Sequence, residues 1–323
     1  MSELCVIGLG LIGGSLLRAA DGAGWKVRGT AASDATVSAA REAGFDVTSS
    51  IEEVLQAAGD DALVVLAVPL PAVADVLPMV ARHAPRCRLT DVVSIKQPVA
   101  AAVARHAPLA RYVGGHPMAG TSASGWAAGS ATLFTGASWV VSTDDGIDPT
   151  VWTQVARLAL DCGATVVPAG AEDHDAAVAR VSHLPHVLAA VLASVGADGG
   201  PLAMALGAGS FTDGTRVAAA RPELVRAMCE GNRTALLDAV DDALGRLGAA
   251  RGSLASTGAL NATIQAGHRA RRAFDAARDD RDGEGDTVHV DLAAPNALAR
   301  LREIARSGGR VIAMHGTRCQ VAL

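Results

Sequence analysis

The sequence predicts an α/β domain with a mainly parallel sheet, followed by an all-α half and a short βαβ tail. Three observations predict it. Short apolar runs alternate with helical patterns from the N-terminus to about residue 170, as strands covered by helices on both faces require. From about residue 171 the alternation gives way to long alanine- and leucine-rich helical segments. A charged, glycine-containing stretch at 278–286 then reads as a solvated linker before a final strand, helix and strand. The predicted boundaries are 1–170, 171–277, 278–286 and 287–323.

Composition narrows the function classes. Half of the 323 residues are hydrophobic, 19% are charged and only 3% are aromatic, so alanine and glycine allow close helix and backbone packing. A net charge of -5, with no basic block, argues against nucleic acid or an anionic membrane as partner. The most apolar stretch, 62–80, is broken by Pro69, Pro71, Asp75 and Pro78, so it predicts no spanning helix. Met1 runs directly into a predicted strand, which leaves no room for a signal peptide. Cys5, Cys87, Cys162, Cys229 and Cys319 are scattered and odd in number, which fits free thiols in a cytoplasmic protein and no metal site.

The apolar run 4–7 stops at Gly8-Leu9-Gly10-Leu11-Ile12-Gly13, and helical character follows. Strand, GxGxxG and helix in that order form the dinucleotide fingerprint of a Rossmann-type domain. Gly8 permits the tight turn, Gly10 lets backbone N–H groups approach a pyrophosphate, and Gly13 lets the helix lie close to the strand. The six residues Gly8 to Gly13 are therefore candidate cofactor contacts. The second strand, 25–30, ends at Thr30-Ala31-Ala32-Ser33 without the carboxylate that holds an NAD ribose, and no arginine follows for a 2′-phosphate. Thr30 and Ser33 are candidates there, with Arg28 and Arg41 as the nearest basic groups, and NAD versus NADP stays open. Asp34 is the predicted N-cap of a helix over 35–43. Further elements are a helix at 51–58, a buried strand at 62–68 ended by Pro69, a helix at 71–83, a strand at 88–93 and a helix at 97–104. Val68 and Pro69 complete the cofactor candidates.

The strand 111–113 runs into Gly114-Gly115-His116-Pro117-Met118-Ala119-Gly120-Thr121. Ligands of open α/β sheets collect at the carboxyl ends of strands, so His116 is placed as a general acid or base. Ser94 ends the preceding strand and shares that crevice. A small-residue loop at 121–129, a strand at 138–142, a helix at 150–160 and a strand at 164–167 close the first domain. In the second, helices are predicted over 175–197, 201–206, 221–247 and 254–277. Its two polar spots are Ser182-His183-Leu184-Pro185-His186, with imidazoles at i,i+3, and a polar turn at 211–216 ending in Arg216. Taken singly, the histidines fit hydrogen-bonded packing residues and Arg216 a surface charge; no acid or cysteine accompanies them at metal-ligand spacing.

As an ordered set, five motifs resemble the prephenate/arogenate dehydrogenase family of tyrosine biosynthesis. They are Gly8-x-Gly10-x-x-Gly13-Gly14-Ser15, 91–96 (DVVSIK), 115–121 (GHPMAGT), His174-Asp175 with 182–186 (SHLPH), and 213–218 (DGTRVA). The resemblance covers about 4–277. It implies oxidative decarboxylation of a small anionic cyclohexadienyl substrate with hydride transfer to NAD or NADP. It further implies that His116 accepts the proton of the ring hydroxyl, that Ser94 orients His116 and that hydroxyl, and that Arg216 clamps a substrate carboxylate. Ser182, His183, His186 and Thr121 would line the substrate pocket, Asp213 would steady the Arg216 loop, and the helical half would form a homodimer. Ser122 and Thr212 stand where the family often has an acidic and a basic residue, which weakens any carry-over of a gating ion pair. With no acid in 121–129 for an ammonium, prephenate is favoured over arogenate.

Residues 288–292 and 295–301 resemble the opening half of an ACT regulatory domain, expected to pack on the dimer partner or pair with its copy. Two alternatives remain. Another oxidoreductase of the 6-phosphogluconate-dehydrogenase-like architecture would use a lysine in the helical half, and 171–277 contains none. A non-catalytic dinucleotide sensor would need no Ser94, His116 and Arg216 in one cleft.

Overall fold

The computed structural model describes residues 2–59, 61–121, 123–279 and 286–323. In the first part, β1 (Glu3–Ile7), α1 (Leu11–Gly22), β2 (Lys26–Thr30), α2 (Asp34–Glu42), β3 (Val47–Thr48) and α3 (Ile51–Gln56) are followed by β4 (Leu63–Leu66), α4 (Leu70–His83), β5 (Arg88–Asp91), α5 (Gln97–His106) and β6 (Arg111–Val113). The strands make a parallel six-stranded sheet in the order β3-β2-β1-β4-β5-β6. Helices cover both faces, so the central strands must be apolar throughout. Leu4, Cys5, Val6, Ile7 and Leu63 to Leu66 are accordingly buried. The strand order reverses between β1 and β4, which opens a crevice at their carboxyl ends.

At Gly114 the chain leaves this sheet and enters a second one. Here β7 (Gly115–Pro117) pairs antiparallel with β8 (Ser138–Ser142), α6 (Pro149–Asp161) crosses over, and β9 (Thr165–Ala169) lies parallel to β8. The segment placed just past the end of strand 111–113 is thus itself a strand, with His116 opposite Val140. Three residues, a glycine, a histidine and a proline, are too few to show a strand's alternation. The loop 121–129 contains a 3-10 turn, Trp126–Ala128, whose indole stacks edge-on with Phe45 at 5.7 Å and lies under Arg18 at 3.4 Å.

The helical half comprises α7 (Ala171–Val178), a π-helical turn (Ala179–His183), α8 (Leu184–Asp198), α9 (Gly200–Ala205), α10 (Gly209–Thr215), a 3-10 turn (Arg216–Ala219), α11 (Pro222–Gly231), α12 (Arg233–Ser256) and α13 (Asn261–Asp279). Several expected boundaries move. Ser33, whose hydroxyl accepts from Thr36 N at 3.4 Å, caps α2 in place of Asp34. The polar turn expected at 211–216 is helical, and the helix expected over 221–247 breaks at Asn232, whose amide turns inward. Helix α13 runs to Asp279, into the predicted linker, whose residues 280–285 lie outside the described residues.

The tail requires the largest correction. It is β10 (Thr287–Asp291), α14 (Ala297–Arg306), β11 (Arg310–His315) and a further strand, β12 (Arg318–Ala322). It packs on its own chain: Val311 pairs with Val166 of β9, giving a second six-stranded sheet in the order β10-β12-β11-β9-β8-β7. Val290, Leu301, Val311 and Val321 enter the same apolar core as Trp139 and Trp152. A module too small for a core of its own completes one already present.

Candidate active site

The glycine turn is built as its fingerprint requires. Gly8 has φ +102°, and its N–H donates to Thr30 O at 2.9 Å. A Cβ on Gly13 would sit 1.9 Å from the Gly8 carbonyl oxygen, whereas nothing lies within 4 Å of a Cβ on Gly10. Gly10 caps α1 with no side chain across the helix N-terminus, so the first-turn N–H groups of Leu11, Ile12 and Gly13 face that open space. A pyrophosphate fits there. Leu9 is buried against Gly29, Val68 and Pro69 follow β4 with Val68 against the turn, Thr30 ends β2 and Ser33 caps α2. The basic candidates nearby are engaged: Arg28 bonds Asp46 at 2.8 Å and Arg41 donates to Val47 O at 2.6 Å.

His116 is 9% exposed and belongs to a line of buried groups. Its Nδ1 lies 2.8 Å from His174 Nε2, and His174 Nδ1 lies 2.7 Å from Asp175 Oδ1. The Asp175 carboxylate also accepts from Lys96 N at 2.7 Å and Gln97 N at 2.9 Å, at the start of α5. Burial opposes ionisation of Asp175, but the bonds from His174, Gln97 and Lys96 outweigh it and hold its carboxyl below the usual range. The charge dictates the tautomers. A carboxylate accepts only, so neutral His174 carries its proton on Nδ1 and accepts at Nε2; His116 then carries its proton on Nδ1 and keeps a lone pair at Nε2. Burial, with His174, Lys96 and His183 adding to it, lowers the His116 pKa well below its ordinary value, so the ring is neutral at pH 7.

The second arm extends through the helical half. The Asn232 amide donates to Asp175 O at 2.7 Å and meets His183 Nδ1 at 3.1 Å. The π-helical turn puts His183 inside, where burial pushes its pKa down to about 4. His186 is lowered by burial and by Arg216, despite a bond to the Val217 backbone. His116, His183, His186 and Arg216 are thus successive electrostatic neighbours. His183 Nε2 and His186 Nδ1 are buried without a hydrogen-bond partner among the described residues, so each leaves a polar atom to be satisfied by another group.

Other expected members are less directly engaged. Ser182 is half-buried on the π turn, and Arg216 and Thr121 are exposed. Ser94 is half-buried between β5 and α5, and no hydrogen bond joins it to His116 among the described residues. The contact that orients His116 comes from His174 instead. His174, Asp175 and Asn232 are the members that reasoning from residue types passed over. The adjacent His-Asp pair was visible, but no spacing rule tied it to a histidine 58 positions away.

A dinucleotide cradle and a buried, neutral, carboxylate-backed imidazole in one chain define the class: a nucleotide-dependent dehydrogenase with a separate helical domain. A family model for the prephenate dehydrogenase nucleotide-binding domain matches residues 14–168, and one for the prephenate dehydrogenase dimerization domain matches 170–258. The chain belongs to the prephenate dehydrogenase family. It is 32% identical to a cyclohexadienyl dehydrogenase of Zymomonas mobilis over 79% of this chain and 89% of that one. To a prephenate dehydrogenase of Bacillus subtilis it is 31% identical over 74% of this chain, spanning 66% of the Bacillus protein's length. The crystal structure of a prephenate dehydrogenase homologue from Corynebacterium glutamicum superposes with a TM-score of 0.89 at 44% identity, covering 96% of this chain and 98% of that one.

Proposed function

We propose that this chain oxidises and decarboxylates prephenate to 4-hydroxyphenylpyruvate with NAD(P)+ as hydride acceptor. The observation that carries the reading is the line Asp175, His174, His116, which leaves His116 Nε2 with the lone pair. When bound, the nicotinamide supplies the acceptor for the hydride that leaves the hydroxyl-bearing ring carbon. His116 Nε2 takes the hydroxyl proton. The electron pair of the bond to the departing CO2 flows into the ring, which becomes aromatic, and the phenolate oxygen recovers the proton from His116. Asp175 and His174 steady the transient imidazolium, since its second N–H already faces an acceptor.

Ser94 is the candidate to orient the substrate hydroxyl, and Arg216 to clamp a substrate carboxylate with its planar fork. Ser182, His183, His186 and Thr121 are the candidate pocket wall. The active form is a homodimer through the helical half, supported by exposed apolar side chains such as Leu188, Val191, Val195, Leu237, Leu244 and Leu247. The run 171–198 is apolar and long enough to cross a bilayer, but it also holds buried His174, Asp175 and His183. A covered dimer face accounts for it better. Five free cysteines suit a cytoplasmic enzyme.

The test is a spectrophotometric assay with prephenate and arogenate, each with NAD+ and NADP+, on wild type and His116→Asn. The reading expects prephenate-dependent reduction that falls about 10²–10⁴-fold in the variant while NADH affinity is kept. Equal turnover in the variant, or activity confined to arogenate, refutes it.

A further inference from the structure

The corner at which the chain passes from one sheet to the other is held by charged groups with no part in the proposed chemistry. Asp91 ends β5 and is fully buried, as is the Lys96 side chain. Lys96 Nζ donates to Asp91 Oδ1 and, at 2.6 Å, to the carbonyl of Gly115, the residue before His116. Asp91 Oδ2 accepts the Tyr112 hydroxyl at 2.6 Å and the Gly115 N–H at 3.4 Å, and Oδ1 accepts Val93 N at 2.8 Å. Gly114 O accepts from Ser142 N at 2.9 Å. The peptide groups leading into His116 are thus tied to this cluster from both sides.

The same packing explains the two glycines. A Cβ on Gly114 would stand 2.7 Å from Ser142 Oγ and 3.0 Å from the Tyr112 hydroxyl; one on Gly115 would stand 2.6 Å from Asp91 O. A buried ion pair is weak ground for stability, because desolvation of both charges offsets their attraction. Replacing such a pair with packed apolar residues is often neutral or favourable, so its use at this corner calls for a different reason.

We propose that Asp91, Lys96 and Tyr112 form a charged pedestal that fixes the Gly114–Gly115 corner and so aims the His116 imidazole, which makes Lys96 a positioning residue for the reaction. This rests on the reading of His116 as the base. The charged and titratable groups around that ring come from every neighbouring element: Asp91 and Lys96 from β5 and the turn into α5, Tyr112 from β6, His174 and Asp175 from α7, and His183 from the π turn. Among them Lys96 has a second effect beyond aim. Its ammonium opposes a proton on His116, and removing it leaves the Asp91 carboxylate to favour one, so the base would titrate at higher pH.

The experiment compares Lys96→Met, Tyr112→Phe and His116→Asn with wild type, using pH profiles of kcat and KM for prephenate, thermal melts and NMR titration of the His116 ring without ligand. Lys96→Met is expected to lower kcat about a hundredfold with KM little changed. Its acid limb of kcat/KM and its His116 titration should both move to higher pH. Tyr112→Phe, which keeps the ring and removes one hydroxyl donor, is expected to lower kcat several-fold and to move the acid limb in the same direction. Should Lys96→Met fail to fold, Tyr112→Phe decides alone. If His116→Asn is inactive while the folded pedestal variants keep wild-type kcat and acid limb, the pedestal is overturned and the base reading stands. If His116→Asn turns over like wild type, the base reading falls and takes the pedestal with it.

Discussion

Replacing Asp175 with asparagine removes one charge and one acceptor from the buried end of the histidine line. In the wild type Oδ1 accepts from Lys96 N and His174 Nδ1, and Oδ2 accepts from Gln97 N. An amide has one oxygen, so whichever way it turns, its NH2 meets a donor. If the NH2 faces His174, that ring must accept at Nδ1 and carry its proton on Nε2. It then donates to His116, whose proton moves to Nε2, and the lone pair needed for proton abstraction is lost. If the oxygen stays toward His174, the Gln97 N–H is orphaned at a cost of about 1–3 kcal/mol. The expected result is a fall in kcat of about 10²–10⁴-fold, or about 3–5 kcal/mol of barrier, with KM for prephenate nearly unchanged. Steady-state kinetics and 15N spectra of the two rings measure both halves of the claim. A variant within about threefold of wild-type kcat, with His116 still protonated on Nδ1, would refute the tautomer argument.

Gly13→Ala places a Cβ 1.9 Å from the Gly8 carbonyl, against backbone that has no room to yield, so NADH binding followed by fluorescence should be lost; unchanged affinity would contradict the cradle. Arg216→Lys replaces a planar fork with a point charge and should raise KM for prephenate about 10–100-fold with little effect on kcat. Stability should fall on acidification in two stages. His116 and His183 are held neutral in the folded state, so the unfolded chain binds more protons below about pH 6.5. The His183 share is fully present above that and is lost progressively down to about 4. The lowered Asp175 carboxyl contributes above its unfolded value of about 3.9 and loses that contribution only below it. Melting temperatures from pH 8 to 3 measure this, and a flat profile between 6.5 and 4 would contradict it. Ending the chain at residue 279 should leave β9 as an exposed edge and uncover Trp139 and Trp152, giving aggregation in sedimentation runs; a soluble truncated protein with the wild-type melting temperature would contradict the shared core.

The first sheet was legible because its signals are local. An apolar run closed by Gly8, or by Pro69 after 62–68, announces a buried strand whatever lies elsewhere in the chain. The helical half was legible as helix but not in its breaks. Asn232 interrupts a helical pattern because its amide has partners on Asp175 and His183, which no window around 232 contains. The π turn likewise follows from burying His183. The tail failed for the same reason on a larger scale: 287–323 reads as three elements with too little core, and its fourth element, β12, and its host, β9, appear only when distant segments are paired.

The site follows the same division. His116 and the glycine turn announce themselves because each must occupy a special backbone, a strand entered through two glycines or a turn with positive φ, and special backbones restrict residue choice. The groups that govern His116 carry no such mark. Asp175 stands one residue from His174 on an ordinary helix, and its charge matters because α5 begins above it and offers two backbone N–H groups. A carboxylate so anchored can keep its charge while buried, and only a charged Asp175 fixes both imidazole tautomers. On the proposed reading, the proton-accepting nitrogen of His116 is therefore set by the meeting of α5 and α7, two helices that belong to different halves of the chain. That requirement couples the helical half to the chemistry directly, so a change that shifts α7 against α5 should act on proton abstraction before it acts on substrate binding.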